Sequence, residues 1–205
     1  RTERVWTSDC NDALERQRIQ RGASMLIPPE VMGAHIGPPT SHTTGRTQTL
    51  AFRAATALFG HLGIEWNVTT LGDDDMAALR QAIAVYKQHR RLLHTGDVVR
   101  FDTEPAYCAH GVYAPNRSEA IVSFAQLTTA RSLTPPPLRM PGLDRFAAYR
   151  VEAIEIAPGT RGAARRQSAW LADGVTLTGA QIEAHGIQPP VMHPESAVVL
   201  HLTRL

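Results

Sequence analysis

Near Gly96 the hydrophobic period of this chain changes, and few architectures accommodate what lies on the two sides of that point. Before it, short β-type runs alternate with longer helical ones, the pattern of successive β/α units. After it, stretches such as Arg150-Val151-Glu152-Ala153-Ile154-Glu155-Ile156 alternate apolar and charged residues at period two, which is sheet with one solvated face. The reading is therefore α/β followed by all-β, with residues 1–96 as one domain and 97–205 as an antiparallel β-sandwich. At 205 residues and 43% hydrophobic composition, the chain has enough apolar material for one or two domains.

Three β/α units are expected in residues 1–96. The first has a strand over 4–7 and a helix that opens at Asp12, where the spacing to Glu15 resembles a capping box, and runs to about Leu26 before Pro28-Pro29 stops it. The second has a strand over 31–36, a loop over 37–45 and a largely buried helix over 47–62. The third has a strand over 64–68 and a helix carrying Met76, Leu79, Ile83 and Tyr86 on one face, ended by Gly96. In the second half, strands are expected over 98–101, 107–113, 121–127, 150–156, 176–177 and 197–203.

Twenty-one basic and 19 acidic side chains, interspersed, leave a formal charge of +2 with no run of like sign, so neither nucleic acid nor a membrane surface is the expected partner. No apolar stretch approaches the roughly 20 residues of a bilayer span, and no basic-then-apolar leader opens the chain. Arg1 stands where an initiator methionine would, so a piece of a longer protein is expected. Cys10 and Cys108 lie far apart and outside any Cys-x-x-Cys spacing, which suits free thiols in a reducing compartment.

In parallel β/α arrangements the ends of strands and the loops after them carry the chemistry. Asp9 and Asp12 fall at such an end, just after Trp6. Carboxylates at this spacing suit an acid/base pair, a magnesium site or favourable charge at a helix N-terminus, and Asp12 also fits the cap. Trp6 and Trp66 sit in expected strands, which favours core over sugar platform. His35, His42 and His61 lack ligand spacing, so no metal is expected, and Ser8 forms no recognisable triad with His35 or His42. Asn67 and Asn116 open glycosylation-type triplets that arise often by chance. No phosphate-binding glycine loop or nucleophile elbow is present, which removes the main support for nucleotide and ester-hydrolase readings.

The segments "WTSDCND", "ALERQRIQRGASMLIPPEVMGAHIG", "HTTGRTQTLAFRAATALFGHLGIEW" and "YKQHRRLLHTGDVVR" resemble the last part of the catalytic barrel of glycoside hydrolase family 36 α-galactosidases, and "LTGAQIEAHGIQPPVMHPESAVVLHL" resembles the end of that family's C-terminal β-domain. The resemblance implies the last three β/α units of a (β/α)8 TIM barrel followed by the β-sandwich. It implies a retaining α-galactosidase acting on melibiose- or raffinose-type galactosides, with Asp9 as general acid/base, held protonated by the neighbouring carboxylate and partial burial. Trp6 and Asp12 become substrate-site residues, Asp12 mainly organising the helix start and the site wall. The nucleophile, expected in a Lys-x-Asp-x-Asn motif, has no counterpart in this chain, so the fragment by itself is expected to be inactive. Cys10 and Asn11 stand where the family commonly has Asp or Asn followed by Thr. No cofactor is implied, and the family context is a cytoplasmic homo-oligomer. A non-catalytic carbohydrate-binding or assembly role for the β-sandwich is the competing reading.

Overall fold

The computed structural model describes residues 3–159 and 168–205. The chain divides into two compact units, one formed by the chain up to Thr95 with a short return segment from Ile156, the other beginning at Gly96.

The first unit is parallel β/α. Val5 pairs in parallel with Met32, and strand β1 (Gly33–Ile36) pairs in parallel with β2 (His61–Ile64) from Gly33↔His61 to Ile36↔Ile64. The expected first strand is thus reduced to a bridge, whose backbone bonds run from Val5 N–H to the Val31 carbonyl (2.8 Å) and from Gly33 N–H to the Val5 carbonyl (2.9 Å). Helix α1 (Ala13–Ala23) is capped by Asp12, whose side chain accepts from the N–H groups of Leu14 and Glu15. It stops three residues short of the expected Leu26; Met25 and Leu26 lie in turns beyond it, 73% and 90% exposed, as the chain approaches Pro28.

Helix α2 (Leu50–Ala57) starts at Thr49, which accepts from Phe52 N–H, and all eight of its residues are buried. It is shorter than the expected 47–62 because the chain turns at once into β2. Gly60 makes that turn possible: a methyl there would lie 2.6 Å from Ala34 Cβ and 2.9 Å from the Met32 carbonyl. The third strand therefore falls at His61–Ile64 and not at 64–68. The Asn67 side chain accepts from Thr69 N–H and folds Val68–Thr70 into a 3₁₀ turn, a local bond that competes with extension. Helix α3 (Asp73–Thr95) opens with Asp73, Asp74 and Asp75 in its first turn, where negative charge meets the helix dipole, and buries Leu79, Ala82, Tyr86 and Leu93 along one stripe.

Among the described residues the second unit forms one antiparallel sheet of six strands: β3 (Asp97–Phe101), β4 (Tyr107–Tyr113), β5 (Glu119–Gln126), β6 (Ala148–Ile154), β7 (Val175–Thr178) and β8 (Ser196–Arg204) in the order β3-β4-β5-β8-β6-β7. Two facing sheets were expected. The final strand β8 instead inserts between β5 and β6 and bonds to both, which joins all six strands into one ladder. One face packs Tyr107, Phe124, Tyr149, Val151, Leu200 and Leu202 against the non-strand residues Leu138, Met140, Leu143, Ile182 and Ile187. Short helices α4 (Trp170–Asp173) and α5 (Gly179–His185) flank β7, and Thr178 and Gln181 close a full capping box at the start of α5. Tyr149 Oη donates to the Arg117 carbonyl (2.8 Å) and accepts from Asp144 N–H (3.0 Å), so its buried hydroxyl is fully used.

Candidate active site

The C-terminal ends of the parallel strands gather the charged groups of the first unit. Past the Val5 bridge, the Trp6 indole N–H donates to Asp9 Oδ1 at 3.0 Å. Trp6 is 40% exposed and Asp9 is exposed, so the expected partial burial of Asp9 is not what the structure shows. The segment between them is fixed from below by Arg16 of α1, which donates to Thr7 Oγ1 (2.9 Å) and to the Ser8 carbonyl (2.8 Å) and lays its guanidinium 4.5 Å from the Trp6 ring centroid. Burial lowers the pKa of Arg16, opposed by the nearby Cys10, Glu65 and Asp9. Ser8 Oγ accepts from Cys10 N–H (3.1 Å), a tight local turn that directs Asp9 outward.

His35 of β1 also stands against Trp6, its ring 4.4 Å from the indole. His35 Nδ1 bonds to Glu65 Oε2 at 3.1 Å, and Asn11 Nδ2 donates to the same oxygen at 3.2 Å. Glu65 follows β2 directly and extends the parallel ladder, its N–H donating to the Ile36 carbonyl (3.0 Å).

Asp12 occupies a different environment. Its side chain has no exposure. Oδ1 accepts from Leu14 N–H (2.8 Å), Glu15 N–H (3.3 Å) and Gln48 Nε2 (3.2 Å), while Oδ2 accepts from Thr44 Oγ1 (2.5 Å) and Arg46 Nη1 (2.5 Å). Burial pushes this carboxyl up, but the bonds from Thr44, Glu15 and Leu14 and the charge of Arg46 outweigh it and hold the group below its ordinary 3.8. The segment from the loop to the start of α2 supplies Thr44, Arg46 and Gln48 by folding on itself: Thr40 bridges Thr47, Ser41 N–H donates to the Arg46 carbonyl (2.9 Å), and Gly45 takes φ +71°. Cys10 Sγ touches Thr43 Oγ1 at 3.3 Å, a second tie between loop and strand end. Asp12 is thus the hub of the helix start and the loop, with both oxygens already engaged by the protein.

Trp66 lies past β2, outside any strand, under the guanidinium of Arg53 (4.9 Å to the ring centroid). Arg53 is buried, bonds to the Gln48 carbonyl (3.2 Å) and to the Gly37 carbonyl, and burial lowers its pKa to about 10. His61 Nε2 accepts from Arg4 Nη2 at 2.9 Å, while His42 is exposed in the loop. Sequence reasoning passed over Arg16, Asn11 and Glu65. Glu65 carried a usable signal: it is the acidic residue that ends the apolar run after Gly63, where a parallel strand delivers side chains to the functional face.

Two family models divide the chain between them, Melibiase over residues 1–96 and the glycosyl hydrolase family 36 C-terminal domain over residues 107–202. The two matches put the chain in the class of the glycoside hydrolase families, with its antiparallel unit in the region of the C-terminal domain model. The chain belongs to glycoside hydrolase family 36, the family of the α-galactosidases it matches. The α-galactosidase of Escherichia coli is 41% identical over 210 residues, an alignment that takes in 100% of this chain and 30% of that protein. The family 36 α-galactosidase AgaB of Geobacillus stearothermophilus superposes with a TM-score of 0.82 at 28% identity, over 98% of this chain and 26% of that one. A variant of AgaA from the same organism, solved in complex with raffinose, gives 0.82 at 27% identity with the same coverage. The chain therefore spans less than a third of the length of these relatives.

Proposed function

We propose that this chain supplies the general acid/base, Asp9, of a retaining α-galactosidase, and that residues 1–96 form the last three β/α units of its (β/α)8 barrel. The observation that carries this reading is the 3.0 Å bond from the Trp6 indole to Asp9 Oδ1, at the C-terminal end of the first parallel strand. An indole N–H only donates, so it keeps Oδ1 an acceptor and leaves Oδ2 to carry the transferable proton. As the glycosidic bond breaks, Oδ2–H protonates the departing oxygen while a carboxylate outside this chain attacks the anomeric carbon. Ionised Asp9 then takes a proton from the water that releases galactose. The substrate class, terminal α-galactosides of the raffinose type, is taken from the raffinose complex of the AgaA variant. Asp12 shapes the wall through the loop it holds and Trp6 serves substrate by fixing Asp9, while a cytoplasmic, oligomeric setting rests on the resemblance alone.

The test is Asp9→Ala in the complete gene product. The kcat/KM on raffinose is expected to fall by about 10²- to 10⁴-fold, with a far smaller loss of kcat/KM on aryl galactosides, whose leaving group needs no proton in the first step. Equal losses on both substrates refute the assignment.

A further inference from the structure

We infer that Glu65 is a positioning residue for the proton-transfer step, holding Asp9 through His35 and Trp6. This rests on the acid/base reading of Asp9 given above. Glu65 touches neither Asp9 nor Trp6 in any bond described for it. Its Oε2 instead takes the His35 Nδ1 bond at 3.1 Å, which places the proton of a neutral His35 on Nδ1 and fixes the plane of the ring. That ring lies 4.4 Å from the Trp6 indole, tilted by 40°. The indole in turn donates to Asp9. Asn11 Nδ2, also on Glu65 Oε2 at 3.2 Å, ties the same carboxylate to the segment that carries Asp9.

The backbone is shaped to admit each member of this chain. A methyl at Gly33 would lie 2.8 Å from Trp6 Cε3, one at Gly63 would lie 2.6 Å from His35 Cδ2, and one at Gly37 would lie 2.5 Å from Asn11 Nδ2. The indole, the imidazole and the amide each rest against a strand or strand-end position where any Cβ would displace them. A carboxylate that only needed solvation would require none of these seats. The Glu65 side chain is 47% exposed and that of His35 30%, so the dyad adds little to folding and its geometry is free to serve the reaction.

The experiment compares the complete gene product with its Glu65→Ala, Glu65→Gln and His35→Phe forms on raffinose and on a dinitrophenyl galactoside. Loss of the Glu65 anchor is expected to lower kcat/KM on raffinose by about tenfold to a hundredfold, the scale of a misplaced catalytic group, and to leave kcat/KM on the aryl substrate within about twofold. Gln keeps an acceptor for His35 and is expected to restore most of the rate. His35→Phe keeps the ring on Trp6 without the bond to Glu65 and is expected to match Glu65→Ala, which keeps the inference testable if Glu65→Ala does not fold. Equal losses on both substrates, no loss, or failure of Gln to rescue overturns it. Asp9→Ala run in parallel separates the two ideas: a leaving-group split for Asp9 without one for Glu65 defeats only this inference, and no split for Asp9 defeats the reading beneath it.

Discussion

Replacing Asp12 is the sharpest test of how the strand end is built. In Asp12→Ala the helix loses its cap, worth about 1 kcal/mol. It also loses a fully buried carboxylate that receives Arg46 at 2.5 Å and Gln48 at 3.2 Å. Breaking a buried ion pair costs about 3–5 kcal/mol when the remaining charge is stranded. Here the low end applies, because the Arg46 side chain is 33% exposed and has Glu15 at 3.5 Å. The sum is about 4 kcal/mol, on the order of 20 °C in the Tm of a unit this size. Asp12→Asn keeps the cap and the Oδ1 bonds but turns an amide toward Thr44 and Arg46, so about half that loss is expected. Thermal and urea unfolding followed by tryptophan fluorescence reads both. Since the carboxyl is held below 3.8 in the folded state, its contribution is complete above about pH 5 and fades as pH falls through the folded value. Parent and Asp12→Ala should therefore converge in acid. An Ala variant that melts with the parent at pH 7, or an Asn variant as damaged as Ala, refutes the cap-and-hub account.

His94, with its Nε2 2.9 Å from Tyr86 Oη, has its pKa lowered from 6.5 by burial first and then by the charges of His61 and Arg90. The unfolded chain thus binds this proton more readily, so stability should decline as pH falls below about 6.5, and His94→Gln should flatten that slope in pH-dependent urea titrations. In the β-unit, a methyl at Gly111 would collide with the Ile121 carbonyl of the paired strand; Gly111→Ala is expected to cost about 1–3 kcal/mol by chemical denaturation.

Strong local patterns were readable from sequence, and the misses share one cause. Tyr107–Tyr113 lies where the strand was expected, an apolar run buried at every position except the half-buried His110. The cap at Asp12 follows from residue type and spacing, and the structure bears it out. The strand after α2 is shifted because nothing local marks where a helix gives way to a strand buried beside it; the deciding contact, Gly60 under the Met32 carbonyl, joins positions far apart in sequence. The single sheet in place of two was hidden for the same reason, since β8 chooses its neighbours 70 residues after β5 by tertiary pairing. Asp9 stood out because it follows a tryptophan at a strand end. Glu65 did not, because its importance lies in bonds to Asn11 and His35, 54 and 30 residues away.

The glycines beside β1 and β2 separate stability from chemistry, since they oppose different kinds of atoms. A methyl at Gly60 meets backbone, the Met32 carbonyl at 2.9 Å, and a fully buried Ala34 Cβ at 2.6 Å, neither of which has anywhere to go. Gly60→Ala should therefore cost about 1–3 kcal/mol. A methyl at Gly63 meets only the His35 ring, at 2.6 Å from Cδ2, and that ring is 30% exposed and free to swing out. Gly63→Ala should fold almost as well as the parent, yet pull His35 off Trp6 and loosen the hold on Asp9. The pair gives opposite signatures in the complete gene product: a lowered Tm with an unchanged ratio of kcat/KM on raffinose to kcat/KM on the aryl galactoside for Gly60→Ala, and a preserved Tm with a depressed ratio for Gly63→Ala. If both variants lower Tm and neither moves the ratio, the seats beneath Trp6 and His35 serve packing alone and the strand-end geometry carries no information about proton transfer.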